Sequence, residues 1–329
     1  MKIISASGKV ESFKKIFLAI GVFDGVHRGH QCLIKRVVAR ANHEGAMSVV
    51  MTFDPHPVNV LHPEIYCPLL ISLKHRLKLI EDLGVDVCMV IHFTKIFSQL
   101  SPEQFIQDFL IKKIYPEEVF IGDDFRFGQN RSGDLNFFQA AAHRHGFKVN
   151  IVSAVKEKSE VISSTRIRKL IAAGDIRAAS RLLGRLVSVL GTVIKGESRG
   201  KSLGFPTANI DPDCDFLPPC GVYLVYVEVH NQRLKGIANI GVRPSFNHQK
   251  KNDKVVLEVY ILDFRENIYG QKIIIEFIKK NRDEIKFPSQ EDLIDQIKTD
   301  ERKARKYFHL VKFPTITKRS SRILSSFSK

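Results

Sequence analysis

Between Gly21 and Gln31 the chain reads GVFDGVHRGHQ, with His27 and His30 at the point where an apolar run gives way to a helical pattern. A helix start offers unpaired N–H groups and the positive end of the dipole, a combination that attracts phosphate. Two imidazoles three residues apart share a helix face and can donate hydrogen bonds to phosphate oxygens as negative charge builds. Gly25 and Gly29 allow close backbone approach. An H-x-x-H pair alone is more often a polar turn with surface histidines. The glycines fall at 21, 25 and 29, which is not the dinucleotide pattern G-x-G-x-x-G.

Three further polar clusters stand where strands are expected to end: TFDPHP (52–57), GDDFRFG (122–128) and ISSTRIR (162–168). Ligands of open α/β sheets bind outside the carboxyl ends of the strands, where these clusters fall. Taken singly, Asp54 and Asp123 read equally well as turn or cap residues and Arg126 as a surface charge. Together they are harder to dismiss.

A second chemical block, GTVIKGESRGKSLGFPTANI, spans residues 191–210. Its GESRGKS core falls one residue short of a P-loop, and the following LGFPTANI is strand-like rather than helical, so a P-loop is not the better reading. A different glycine-rich phosphate loop fits, with Gly196, Gly200 and Lys201 near the phosphates. Thr207 and Asn209 are two apart, so an extended strand presents both oxygens on one face. Neutral oxygens beside ATP phosphates suit magnesium, a hard cation that takes few protein ligands. Without the glycine loop the pair would read as turn residues; Glu258 in VVLEVYIL reads by itself as a solvent-facing strand residue.

The elements that must position these groups divide into two textures. Up to about residue 184 short apolar runs (IFLAIGVF, SVVMTF, DVCMVIHF, EEVFIG, FKVNIV) alternate with helical patterns. Helices are expected from about Arg28, over Leu73 to Leu83, Pro102 to Lys112 and Leu135 to His145, and from Ser164. That alternation predicts βαβ units and a buried parallel sheet, a Rossmann-like α/β domain. Beyond about Arg185 come LVSVLGTV, GVYLVYVEV, RLKGIANIG, VVLEVYIL and KIIIEFI without intervening helices. These predict an antiparallel β-barrel or sandwich closed by a helix from about Ser289 to Lys306. At 329 residues the chain exceeds what one core usually supports, so two domains are expected.

Composition narrows the class further. Hydrophobic residues at 44% and charged residues at 26% describe a folding globular chain. Five scattered cysteines with no C-x-x-C pair argue against a disulfide framework or zinc finger and fit a reduced cytoplasm. No signal-peptide core and no stretch near about 20 apolar residues is visible, so a soluble cytoplasmic protein is expected, with no membrane partner. The net charge of +16 raises nucleic acid, anionic lipid or a phosphate-rich substrate as partner. Much of the excess lies in a Ser-rich tail, since Lys303 to Lys329 holds eight Lys or Arg and no Asp or Glu.

The four N-terminal segments, in this order, resemble the FMN adenylyltransferase module of the bacterial bifunctional riboflavin kinase/FAD synthetase family, an HxGH nucleotidyltransferase. ISSTRIR followed by KLIAAGDIRAASRLLGR is especially similar, and GTVIKGESRGKSLGFPTANI, GIANIGVRPSF and NRDEIKFPSQEDLIDQIKTD resemble its riboflavin kinase domain. The resemblance implies ATP-dependent phosphorylation of riboflavin to FMN, then adenylation of FMN to FAD with release of pyrophosphate. It implies that His27 and His30 stabilise the α-phosphate transition state, that Ser164, Thr165 and Arg168 hold the leaving pyrophosphate, and that Asp24 and Gly25 help place the nucleotide. Asp123, Arg126 and Arg282 fall on the flavin side. Thr207 and Asn209 carry magnesium, and Glu258 is the general base. Expected domains are 1–185 (adenylyltransferase), 186–312 (kinase) and a basic tail, 313–329, without a counterpart. Riboflavin, FMN and ATP are then the partners, and nucleic acid is not expected. Two other readings compete. An RNA-binding or RNA-modifying enzyme would suit the charge, because the HxGH fold occurs in aminoacyl-tRNA synthetases, but would leave P-T-A-N unexplained. A module that had lost its chemistry would lack His30, Arg168, Thr207 or Glu258, and all four are present.

Overall fold

The computed structural model describes residues 1–5, 8, 10, 15–196, 204–214, 216–243 and 254–310. It divides into two compact units, Met1–Ser164 and Thr165–Lys329. Gly200, Lys201 and the tail from residue 313 lie outside the described residues.

In the first unit, strands β1 (Lys2–Ser5), β2 (Ile16–Ile20), β3 (Met47–Asp54), β4 (Val87–His92), β5 (Glu118–Gly122) and β6 (Lys148–Val152) form one parallel sheet in the order β1-β4-β3-β2-β5-β6. The near-continuous apolar runs reflect burial on both faces. Along β2, Ile16, Leu18 and Ile20 enter one core cluster while Phe17 and Ala19 enter the other. Helix α1 (Arg28–Glu44) follows β2 and buries Leu33, Ile34, Val37 and Ala41, an amphipathic stripe at helical spacing. The order reverses at β2: the chain builds outward to β3 and β4 on one side and to β5 and β6 on the other. A crevice at the carboxyl ends of the strands is expected at such a switch point, and the GVFDGVH turn leaves β2 there.

Helices α2 (Pro57–Leu61) and α3 (Leu73–Glu81) link β3 to β4, and α4 (Lys95–Ser98) follows β4. The helix expected over Pro102 to Lys112 is α-helical only at α5 (Pro102–Phe105) and continues as a π-helical turn, Ile106–Ile111. The wider turn aligns residues five apart, and Phe105 and Leu110, five apart, are both buried. Helix α6 (Leu135–His145) matches the sequence pattern, and Phe138, fully buried, meets Phe125, Phe127 and Phe147 at ring-centroid distances of 5.3 to 5.7 Å. A hairpin of β7 (Lys156–Glu157) and β8 (Glu160–Val161), not foreseen from the pattern, closes the unit.

The second unit begins with the rest of helix α7 (Ser164–Ala172), then α8 (Ile176–Leu183), which packs on strands β9 (Val187–Ile194) and β14 (Lys272–Arg282). With β10 (Ala208–Pro212), β11 (Gly221–Val229), β12 (Gln232–Arg243) and β13 (Lys254–Ile261) these make a closed antiparallel barrel in the order β10-β13-β12-β11-β14-β9. Closure removes the exposed edges that short strands would leave. On β11, Tyr223, Val225 and Val227 alternate with Val222, Leu224 and Tyr226. The second set joins Ala304 and Phe308 of helix α9 (Gln290–Leu310) in one buried cluster.

Phe138→Ala removes the ring on which three other phenylalanines converge, and the expected cost is about 3–5 kcal/mol of stability. Denaturant unfolding of the variant checks this; a midpoint within error of the parent would contradict the packing described.

Candidate active sites

The turn from β2 into α1 carries the histidines. Its backbone takes positive φ at Phe23 (55°), Gly25 (80°) and Val26 (40°), conformations that cost a phenylalanine or a valine and that only glycine adopts freely. Such strain persists only where the surroundings over-determine it. Here they do. The Asp24 carboxylate, 2% exposed, accepts from the Leu70 N–H at 3.0 and 3.2 Å through its two oxygens, while its backbone carbonyl accepts from the Ser164 hydroxyl at 2.8 Å. The Val22 carbonyl accepts from Thr52 Oγ1 at 2.9 Å and from Arg76 Nη1 at 2.8 Å.

His27 caps α1: its Nδ1 accepts from the His30 N–H at 3.3 Å. That contact assigns any single imidazole proton to Nε2, leaving that nitrogen as the donor. The His27 and His30 rings stack at 3.6 Å between centroids and 17° between planes, with the Phe23 ring edge-on to His30 at 5.3 Å. The pair is therefore stacked at the start of α1, with His27 as the cap.

Of the other expected residues in this unit, Ser164 is tied to the turn as described. Asp123 is exposed and accepts from the Ala154 N–H at 3.0 Å, and Arg126 is 48% exposed and lies 3.5 Å from Asp134. Both sit on the β5 loop, at the same end of the sheet as the β2 turn. Thr165 and Arg168 lie on α7 at the start of the second unit, Thr165 exposed and Arg168 half-buried. Arg76 was not singled out from the sequence. Its signal was an arginine on the apolar stripe of an amphipathic helix, four residues before the buried Ile80. Burial pushes its guanidinium pKa down, against the pull of Asp54 and Asp24.

In the barrel, Asn209 on β10 and Asn239 on β12 are the cross-strand partners of Glu258 on β13. Cross-strand partners project from the same sheet face, so the carboxylate is flanked by two amides. Leu257 and Val259, on the opposite face, are buried at 1% and 0% exposure. Thr207 immediately precedes β10. A Cβ at Gly196 would overlap the Asn209 amide, so glycine there lets the backbone at that residue lie against that side chain. Phe205 packs edge-on to Tyr260, two residues along from Glu258, at 5.7 Å. The neutral side-chain oxygens of Thr207 and Asn209 are of the kind a hard cation with phosphate ligands takes. Asn239 was missed by sequence reading because only the strand register brings it to Glu258.

Arg282, expected near flavin, is held by a buried network. Its Nε donates to Asp300 Oδ2 at 2.8 Å, and Asp300, 3% exposed, also accepts from Asn281 at 2.9 Å and Gln296 at 3.2 Å. Its Nη1 donates to the Asp283 carbonyl at 2.9 Å. The guanidinium thus anchors the loop after β14 to α9.

Comparison with known proteins gives these geometries a family. Residues 9–166 match the FAD synthetase model and residues 183–308 the riboflavin kinase model. A bifunctional riboflavin kinase/FMN adenylyltransferase from Listeria monocytogenes is 39% identical over 294 residues, covering 88% of this chain and 92% of that protein. Its counterpart from Buchnera aphidicola is 36% identical over 308 residues, covering 92% and 98%. A crystal structure from Streptococcus pneumoniae, described as a macrolide-efflux protein, is 29% identical with a TM-score of 0.81, covering 93% of this chain and 99% of that one. Among the described residues of the present chain no helix is long and apolar enough to cross a membrane. With both family models matched in order and whole-length relatives above a third identical, the chain belongs to the bifunctional riboflavin kinase/FMN adenylyltransferase family and carries both activities, with ATP as co-substrate.

Proposed function

We propose that the two reactions are divided between the two residue sets, with the histidine turn serving FMN adenylation and the barrel serving riboflavin phosphorylation. The observation that carries this reading is the difference in chemistry between the sets: stacked imidazoles in one, a carboxylate flanked by amides in the other. An alcohol nucleophile needs its proton removed during transfer, and a phosphate nucleophile does not.

In the kinase reaction the riboflavin 5′-hydroxyl attacks the γ-phosphorus of ATP, Glu258 accepts its proton, and ADP leaves. Gly196, Gly200 and Lys201 cradle the phosphates, and Arg282 fixes the flavin side through the loop that it anchors. Thr207 and Asn209 would hold magnesium, which neutralises charge across the phosphates when bound. In the adenylation an FMN phosphate oxygen attacks the α-phosphorus, and pyrophosphate leaves without a covalent enzyme intermediate. His27 and His30 donate to the charge developing at the α-phosphate. Ser164, Thr165 and Arg168 hold the pyrophosphate, Asp24 and Gly25 act by shaping the turn, and Asp123 and Arg126 meet the flavin nucleotide. Positioning and charge stabilisation carry this step. The five cysteines are free, which supports a reduced cytoplasm as the place of action.

Reciprocal variants separate the two sets. Glu258→Gln is expected to lower FMN formation by about 10² to 10⁴ while FAD formation from supplied FMN persists. His30→Ala and Arg168→Ala are each expected to lower FAD formation by about 10² to 10³ with phosphorylation intact. Steady-state rates for each half-reaction decide; a Glu258→Gln chain making FMN within a fewfold of the parent would remove Glu258 as base.

The proposed domains are 1–185 and 186–312, followed by the tail 313–329. Each domain lies in the usual range of about 50 to 250 residues. A cut near 185 leaves α7 and α8, which group with the barrel, on the first fragment, and the fragments are still expected to be active alone, the first on FMN and the second on riboflavin. Soluble folded fragments that work only after mixing would contradict the division.

A further inference from the structure

Arg76 lies on α3, outside the histidine turn and the TFDPHP loop, yet its guanidinium reaches both. Nη1 donates to the Val22 carbonyl at 2.8 Å, at the exit from β2. Nη2 donates to the Phe53 carbonyl at 3.0 Å and to Asp54 Oδ1 at 3.3 Å, at the exit from β3. β2 and β3 are adjacent parallel strands, so the two exits lie at the same end of the sheet, and one guanidinium bonds a backbone carbonyl at each. With 3% of its side chain exposed, Arg76 is placed to serve the backbone rather than a bound ligand.

We propose that Arg76 is a positioning residue for FMN adenylation: it staples the β2 and β3 exits and thereby fixes where His27 and His30 point. This inference rests on the assignment of the two histidines made under Proposed function. Three features carry it. First, the stapled carbonyl, Val22, directly precedes the strained stretch Phe23 to Val26, whose left-handed backbone holds only while both sides are pinned. Second, Thr52 Oγ1 donates to the same carbonyl at 2.9 Å, so β3 grips the turn through a hydroxyl as well as through the shared guanidinium. Third, a planar fork with donors in fixed directions can span two carbonyls on neighbouring strands. A lysine ammonium, a single point of charge, meets both less well.

The prediction follows from geometry. Misplacing a charge-stabilising donor by about 1 Å can cost about 10² in rate, and the loss falls on the transition state. Arg76→Met approximates the bulk of the side chain and removes the fork; it also leaves the Val22 and Phe53 carbonyls and Asp54 short of a donor, so a lower melting temperature is expected and rates are compared at a temperature where each chain is folded. The experiment is steady-state FAD formation from FMN and ATP by the full chain for Arg76→Met, Arg76→Lys and His30→Ala, with melting temperature and FMN binding measured on each. The expected result is a kcat about 10² lower for Arg76→Met, with KM for ATP and FMN changed less than fivefold. Arg76→Lys should fall between Arg76→Met and the parent, and each chain should remain folded and FMN-binding at the assay temperature. Riboflavin phosphorylation by the same chains should stay at the parental rate. A folded, FMN-binding Arg76→Met chain that makes FAD within a fewfold of the parent overturns the proposal. So does a loss that merely follows the unfolded fraction and disappears on cooling. If His30→Ala is also unimpaired, the histidine assignment has failed; if only Arg76→Met is unimpaired, the staple alone has failed.

Discussion

A strained turn has to be held from both sides, and in the first unit the histidine pair proposed to meet phosphate sits on one such turn. Between Val22 and His27 the chain leaves a central parallel strand and enters a helix with three residues in left-handed backbone conformations. The buried Asp24 carboxylate ties the turn to Leu70 on one side, and Arg76 with Thr52 ties it to β3 on the other. The outcome is a helix start whose capping group is itself an imidazole, stacked on a second imidazole. Donors fixed in this way need no reorganisation when charge appears, which is how preorganised sites lower barriers.

The barrel solves a different problem with different means. Its strand register sets Glu258 between two amides and lays Gly196 against one of them. A carboxylate suits the deprotonation of an alcohol, whereas the imidazole pair suits stabilisation of charge on an already ionised phosphate. The family's two activities therefore map onto two kinds of scaffold. An open sheet places loops at a switch point, and a closed barrel places side chains by cross-strand pairing.

Much of this was legible in the sequence where the physics is local. The all-buried strand IFLAI, the stripe of α1 and the alternating barrel strands follow from periodicity, and Leu135–His145 emerged with the bounds expected. The histidine pair near a helix start gave only a weak signal by spacing, and the resemblance to a family supplied the phosphate reading. What escaped the sequence depends on distant partners or on little apolar signal. β1 has four residues with one half-buried, and the β7–β8 hairpin has two residues in each strand. The π-helical turn after Phe105 answers to packing rather than to propensity. The partners of Asp24 and Arg282 were likewise not readable: the Asp24 carboxylate accepts from the Leu70 N–H and Arg282 donates to Asp300. Arg76 and Asn239 carried no motif, since each gains its meaning from a strand exit or a register many residues away.

The central claim is that one chain attacks ATP at two different phosphorus atoms with two different nucleophiles. Supplying riboflavin with ATP labelled at either the α- or the γ-phosphorus, and separating FMN from FAD, tests it most directly. The account predicts γ-label in FMN, both labels in FAD, and one ADP and one pyrophosphate released for every FAD made from riboflavin. FAD lacking either label, or FMN formed without γ-label, would contradict it.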